Sequence, residues 1–156
     1  MRTQQQWFDG YSAVHQHPRN VALHWLCVPL ILWSAVTWLT LAPLAVLATA
    51  VVLAVAFYCT LSAPIASSML AWLLANIALS HMLITAQGAR RAAVIALVVF
   101  VIAWVGQFIG HAIEGRKPRF LTDLAYLLVG PAWLMHKLLR RSGLYHKDTA
   151  VDEVTP

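Results

Sequence analysis

The sequence predicts an all-α integral membrane protein, a bundle of four transmembrane helices followed by a C-terminal helical segment that is in-plane or re-entrant. Of the 156 residues, 60% are hydrophobic and only 11% are charged, whereas soluble domains have about 25% charged residues. The apolar residues also fall in runs close to the length that crosses a bilayer. Residues 1–141 are therefore predicted to form a single membrane domain.

Four apolar runs are predicted to be spans because each approaches the length of a membrane-crossing helix. The breaks between them are short, which predicts antiparallel neighbours in a compact bundle. Cys27 and Cys59 lie far apart inside these runs, so we expect buried apolar side chains and no disulfide. The predicted spans are residues 21–41, 43–61, 65–86 and 92–113.

A fifth apolar stretch, residues 120–139, is predicted to lie in the membrane plane or to re-enter the membrane. It carries Asp123 near its start, Gly130 and Pro131 in its middle and Lys137 near its end. These residues make a poor spanning helix, since charges are costly in hydrocarbon and proline interrupts helical hydrogen bonds.

The basic residues predict the orientation. With four spans, those before the first run and the seven between residues 116 and 147 share one side, opposite Arg90 and Arg91. This bias predicts that both termini are cytoplasmic, and a fifth crossing would remove it. The same flanking positions explain the net charge of +5, so membrane lipids are expected partners and nucleic acid is not. The polar tail, residues 142–156, is predicted to be disordered.

Polar residues gather at the start of the first span. Pro18 suits the first turn of a helix, and His17 is the residue expected just before it. Asn20 and His24 then lie one turn apart on one face. His15 precedes the helix, where a folded-back segment can bring its ring over the same end.

A polar stripe ends the fourth span. Gln107, His111 and Glu114 are spaced by four and three residues, so they share one face of an otherwise apolar helix. The first and fourth spans run antiparallel in the four-span arrangement, so these ends lie on the same side of the membrane. We therefore expect His15, His24, His111 and Glu114 to converge.

Imidazoles with a carboxylate and open coordination positions are typical of a non-haem Fe(II) site that activates O2. Zinc would accept the same ligands, and a single interfacial histidine is more often a hydrogen-bonded structural residue. His136 is placed where an in-plane segment could add it to the metal ligands. His81, near the far end of the third span, and His146, in the tail, are expected outside the site.

Basic residues follow the stripe directly. Arg116, Lys117 and Arg119 can serve orientation and lipid headgroups, or they can recognise a substrate carboxylate. The residues predicted to bind substrate or to support the metal ligands are Asn20, Gln107, Arg116, Lys117 and Asp123.

Two blocks of residues near the ends of the chain resemble the Mpo-like family, which includes a yeast 2-hydroxy fatty acid dioxygenase of phytosphingosine breakdown. Lys137 departs from the pattern, since many relatives have glutamate there, which makes His136 a possible substitute. The shorter interval between His111 and Pro118 resembles bacterial members. The residues that carry the resemblance are Tyr11, His15, Pro18, Asn20, His24, Pro29, the run from Gln107 to His111, Glu114, Pro118, Asp123, Gly130 and Pro131.

The resemblance implies an Fe(II)-dependent enzyme of a bacterial inner membrane. By matching position, His15, His24 and His111 would be metal ligands, and His111 and Glu114 would be catalytic. The implied substrates are a long-chain 2-hydroxy fatty acid and O2, and the products are the fatty acid shorter by one carbon, CO2 and water. This reaction is fatty acid alpha-oxidation.

Two other functions are compatible with the residues. A bis-histidine haem electron carrier needs axial histidines that face each other across neighbouring helices, a role that His24 and His111 could fill. A transporter or structural membrane protein could carry a histidine-lined polar patch. The sequence leaves the oligomeric state open.

Overall fold

The computed structural model describes residues 2–144, and all of its regular structure there is helical. The predicted disordered tail lies outside the described residues from position 145 onward. The elements in chain order are α1 (Gln4–Ser12), α2 (Pro18–Leu41), α3 (Leu44–Cys59), α4 (Ala63–Gln87), α5 (Ala89–Glu114), a 3-10 turn (Arg119–Leu121) and α6 (Tyr126–Arg141).

Within the described part of the chain, three helices are long and apolar enough to cross a membrane. They are α2, α4 and α5, with 24, 25 and 26 residues. The second predicted span, residues 43–61, corresponds to α3, which is apolar but has only 16 residues. At about 1.5 Å per residue it is roughly 24 Å long, somewhat shorter than a hydrocarbon core of about 30 Å.

The most extensive helix contact is between α2 and α5, and two glycines allow it. A Cβ atom on Gly106 would lie 2.6 Å from the Sγ atom of Cys27, and one on Gly110 would collide with the Oδ1 atom of Asn20. The later glycine contacts the earlier residue of α2, so the two helices are antiparallel. Small residues four positions apart permit this close backbone approach.

A buried hydrogen bond fixes the direction of α4. The Oγ1 atom of Thr37 and the Oγ atom of Ser80 lie 2.8 Å apart, and each residue lies in the second half of its helix. Therefore α4 runs parallel to α2.

Helix α1 was not anticipated, because the residues before α2 were expected only to fold back. It begins with a capping box, in which Thr3 and Gln6 exchange side-chain and backbone hydrogen bonds. It packs against α6, where the Nε1 atom of Trp133 donates to the Oγ atom of Ser12 over 2.9 Å. The signal that could have predicted α1 is the Thr-x-x-Gln pattern itself.

The fifth apolar stretch is not one helix over residues 120–139. After the 3-10 turn, α6 begins only at Tyr126 and continues to Arg141, with Pro131 inside it. Its buried face packs against α1, α2 and α4, so it closes one end of the bundle. The expectation for the cysteines was half right, since Cys27 is buried but Cys59, on the last turn of α3, is exposed.

Candidate metal centre

Three histidines meet at the end of the bundle that α1 and α6 cover. His15 lies in the segment between α1 and α2, His24 on the second turn of α2, and His111 on the last turn of α5. One possible ligand atom from each lies within 4.8 Å of the other two. Their exposed fractions are only 4%, 1% and 5%, so the three imidazoles share a site that excludes bulk water.

Backbone carbonyls orient two of these rings. The Nδ1 atom of His15 lies 2.6 Å from the carbonyl oxygen of Tyr11, and the Nδ1 atom of His24 lies 2.9 Å from that of Asn20. A carbonyl only accepts, so each Nδ1 atom must carry the hydrogen. In the neutral ring, the Nε2 atom then has a free lone pair, as it does in histidines that bind metal ions.

The two Nε2 lone pairs face each other across 2.8 Å. Burial, followed by the neighbouring His24, lowers the pKa of His15 to about 3. His15 is therefore neutral at physiological pH, so a proton shared between the two nitrogens is disfavoured. A cation between them would turn this repulsive contact into an attractive one.

His111 supplies the third nitrogen. Its ring centroid lies 4.9 Å from that of His15 and 5.1 Å from that of His24. The Nδ1 atom of His111 is buried and has no hydrogen-bond partner among the described residues. Buried polar atoms are nearly always paired, and one ring nitrogen of His111 lies within reach of an ion shared with the other two histidines.

Glu114 fixes the segment that carries His15. Its carboxylate accepts hydrogen bonds from the backbone N–H groups of Gln16 and His17, at 3.0 and 2.8 Å, and from the Nδ2 atom of Asn20 at 3.1 Å. These three donors bind the carboxylate at the end of α5 to the start of α2. The geometry makes Glu114 a positioning residue, since the group of candidate ligand atoms contains the three histidines only.

Asn20 contacts both Glu114 and His24, and it is completely buried. Its backbone carbonyl orients His24, while its side-chain amide contacts Glu114 and the carbonyl oxygen of Val14. Its role as a residue that supports the metal ligands stays a prediction.

A mainly apolar cavity of about 280 Å³ opens beside the three imidazoles. It lies between α2 and α5, and the segment before α6 covers part of it. Gln107 and Arg119 bring hydrogen-bonding side chains to its histidine end. Its apolar lining includes Val28, Phe100, Trp104 and Phe120.

Of the three basic residues after the stripe, only Arg119 lines this cavity. Its Nε atom donates to the carbonyl oxygen of Gly10 over 3.0 Å. Arg116 instead donates to the carbonyl oxygen of Ala13, and Lys117 is exposed. The chain turns at Gly115, which has φ +70°, and this turn directs Arg116 and Lys117 away from the cavity that they were expected to serve.

Asp123 is likewise outside the histidine group. Its carboxylate pairs with Arg2 at 2.6 Å and accepts from the backbone N–H of Ala125. This pairing lowers the pKa of Asp123. The residue therefore ties the N-terminus to the segment before α6.

The other histidines that the structure describes lie outside this group of three. The ring of His136 packs against Phe8, with centroids 4.9 Å apart, so α6 does not bring it to the group as was expected. His17 caps α2, since its Nδ1 atom accepts from the N–H of Arg19. His81 is exposed on α4, and His146 lies outside the described residues.

No role at the site was predicted for Tyr11. Tyr11 stacks its ring on that of His15, with centroids 4.0 Å apart and planes inclined by 12°, and its carbonyl holds the Nδ1 atom of the same histidine. Its spacing of four from Trp7, on one face of a short helix, could have indicated a packed position.

Comparison with known proteins now adds to this geometry. A family profile described as "2-hydroxy-palmitic acid dioxygenase Mpo1-like" matches residues 1–142. The chain is 33% identical over 142 residues to the 2-hydroxy-palmitic acid dioxygenase MPO1 of Saccharomyces cerevisiae, with 85% of this chain and 78% of the yeast protein covered. No solved structure matches significantly. The matched residues include His15, His24 and His111 and nearly all of the helical bundle. The chain therefore belongs to the Mpo1-like family.

Proposed function

We propose that this protein is an Fe(II)-dependent membrane dioxygenase that removes one carbon from long-chain 2-hydroxy fatty acids. The observation that carries the proposal is the juxtaposition of three buried imidazoles, two with lone pairs 2.8 Å apart, with a mainly apolar cavity. The yeast relative is a 2-hydroxy-palmitic acid dioxygenase, which supports the substrate class.

His15, His24 and His111 would hold the metal ion. Neutral imidazoles suit iron and zinc alike, and we assign iron because the proposed reaction reduces O2 and zinc has no redox chemistry. Bound to three nitrogens, Fe(II) would supply the open positions and the electrons that O2 activation requires. Everything else at the site is the work of the protein: orientation of the ligands, binding of the acid and exclusion of water.

Two side chains are placed to bind the polar end of the acid. The amide of Gln107 is 5% exposed, and its Nε2 atom has no hydrogen-bond partner among the described residues. The guanidinium group of Arg119 lines the same end of the cavity. We assign the carboxylate to Arg119, because a charged donor makes the stronger bond, and the 2-hydroxyl oxygen to Gln107.

The overall reaction needs no further electron donor. A 2-hydroxy acid and O2 balance as the acid shorter by one carbon, CO2 and water. The bond between the carboxyl carbon and C2 breaks, and the substrate supplies all four electrons that reduce O2. A reductase or flavin partner is therefore not part of the proposal.

The membrane arrangement that we propose has four spans, with α6 in the plane of the bilayer. Because α2 and α4 run parallel, α3 must bring the chain back between them. The polar site then lies near one membrane surface and the apolar cavity extends towards the bilayer interior. The excess of basic residues near both ends of the chain supports a cytoplasmic position for this surface and for both termini.

The haem alternative conflicts with the ring packing. A haem held by His24 and His111 would have to pass between them, but their centroids are 5.1 Å apart and the ring of His15 contacts both. An absorption spectrum with a Soret band would revive this alternative. For a transporter or structural protein, the acid would be recovered unchanged.

The test is a turnover measurement. Purified protein in detergent is loaded with Fe(II) without oxygen, mixed with 2-hydroxypalmitate and exposed to air. With wild-type protein we expect pentadecanoic acid by mass spectrometry and one O2 consumed per acid. We expect His111→Ala to be inactive. The matched control, His81→Ala, changes an exposed histidine elsewhere on the bundle and should stay active. Unchanged 2-hydroxypalmitate with iron-loaded wild type would contradict the proposal.

A further inference from the structure

We infer that the acyl chain of the substrate lies in a groove between α2 and α5, and that it passes Ala35, whose small side chain lets a long chain through. The inference rests on the proposed function for the identity of the acid. The position of the groove rests on the structure itself.

Two cavities form the groove. The first contains the three histidines and extends along α2 to Ala35 and along α5 to Phe100. The second, of about 500 Å³, begins at the same two residues and continues to Leu39 and Leu97. Because they share Ala35 and Phe100, the two cavities are adjacent, and together they define the path from the metal centre that we infer for the acyl chain.

The path is long enough for a long-chain acid. From His24 to Leu39 the helix advances fifteen residues, or about 22 Å at 1.5 Å per residue. A hydrocarbon core of about 30 Å holds two layers of lipid chains, so one chain occupies about 15 Å of depth. The groove therefore exceeds the depth of one lipid chain.

The second cavity suits hydrocarbon and not a polar ligand. Ser34 is the one hydroxyl-bearing residue that lines it, and that hydroxyl already donates to the carbonyl oxygen of Leu30 over 2.7 Å. The groove thus has its polar groups at the histidine end and apolar contacts beyond it. This gradient fixes the direction in which a 2-hydroxy acid enters, with its carboxylate at the metal centre.

Ala35 is a suitable position at which to test the length of acyl chain that the groove accepts. It lies at the junction of the two cavities, eleven residues or about 16 Å beyond His24. Its side chain is exposed along the groove, so a larger residue would fill the groove without displacing the core. A separate apolar groove elsewhere on the bundle serves as a control. It is lined in part by Trp25, Ala71 and Leu138, has a volume of about 400 Å³ and contains no histidine.

The two grooves provide a matched pair of variants. We expect Ala35→Phe to lower the kcat/KM ratio of 2-hydroxypalmitate to 2-hydroxydecanoate by at least about tenfold, which corresponds to two buried methylene groups losing their contacts. Ala71→Phe makes the same change in the other groove and should leave the ratio within about twofold of wild type. An unchanged ratio in Ala35→Phe would overturn the assignment.

A crosslinking experiment tests the groove without turnover or mutation. Wild-type protein is irradiated with 2-hydroxypalmitate that carries a diazirine at its terminal carbon, and adducts are mapped by mass spectrometry. We expect adducts within residues 34–39 and 97–100. Adducts within residues 68–72 or 134–138, or none above the level obtained with excess unlabelled acid, would overturn the inference. Adducts at the expected residues without any turnover would support the groove and contradict the proposed reaction.

Discussion

The Nε2 atoms of His15 and His24 lie 2.8 Å apart, while the Nδ1 atom of each ring is engaged by a backbone carbonyl. Two nitrogen lone pairs at this separation repel each other unless a cation lies between them. The backbone of α1 and α2 therefore holds the rings in an arrangement that a bound cation would make favourable.

Removing either ring should remove the ion. We expect His15→Ala and His24→Ala to bind less than about a tenth of the iron held by wild type, because each variant loses a ligand. Metal analysis of purified protein measures this, with His81→Ala as the matched control. Wild-type iron content in His15→Ala would show that the ion is held elsewhere.

Changing Glu114 is expected to weaken metal binding without abolishing it. Glu114→Gln loses the charge that accepts bonds from Gln16, His17 and Asn20, and loss of such supporting contacts typically weakens metal affinity by about 10–100-fold. Competition with a metal chelator measures the affinity. Asp9→Asn, which changes an exposed carboxylate on α1, should leave the affinity unchanged. If Glu114→Gln binds iron normally but has no activity, Glu114 acts in the chemistry instead.

Close packing of α2 against α5 gives a prediction about stability. Gly106→Ala should lower the free energy of unfolding by about 1–3 kcal/mol, because its Cβ atom would overlap the Sγ atom of Cys27. Cys27→Ala removes that atom and should restore part of the loss in the double variant. Unfolding in mixed micelles measures all three variants. Additivity within about 0.5 kcal/mol would mean that the two residues are not coupled.

Arg119 is expected to recognise the acid, and Lys117 is not. We expect Arg119→Gln to lower kcat/KM for 2-hydroxypalmitate by about 10–100-fold, the equivalent of one hydrogen bond to a charged group, chiefly through a higher KM. Lys117→Gln removes the same charge from an exposed position and should behave as wild type. Steady-state rates at several acid concentrations distinguish the two. Equal KM values would place the carboxylate away from Arg119.

Much of this structure was predictable because its signals are local. Helix length and hydropathy indicated α2, α4 and α5, and residue spacing placed His24 and His111 at the same end of the bundle. The same depth argument brought His15 to them. For His24 and His111 the sequence spacing along a helix determines the direction of the side chain, whereas His15 was placed only by its nearness to the start of α2.

The errors fall where tertiary packing sets the direction of a side chain. Arg116, Lys117 and Arg119 follow a glycine turn outside α5, so helical spacing could not indicate which of them faces the cavity. The face of α6 that carries His136 is determined by its packing against α1, a helix that hydropathy alone did not indicate.

The contact between Glu114 and Gln16 joins residues 98 positions apart, and this separation has a consequence for biosynthesis. His15 and His24 are synthesised before α3 and α4, while His111 and Glu114 are added only at the end of the last span. The nascent chain therefore cannot assemble the complete ligand set until α5 has been inserted. Acquisition of the ion is therefore expected to be a late step of maturation.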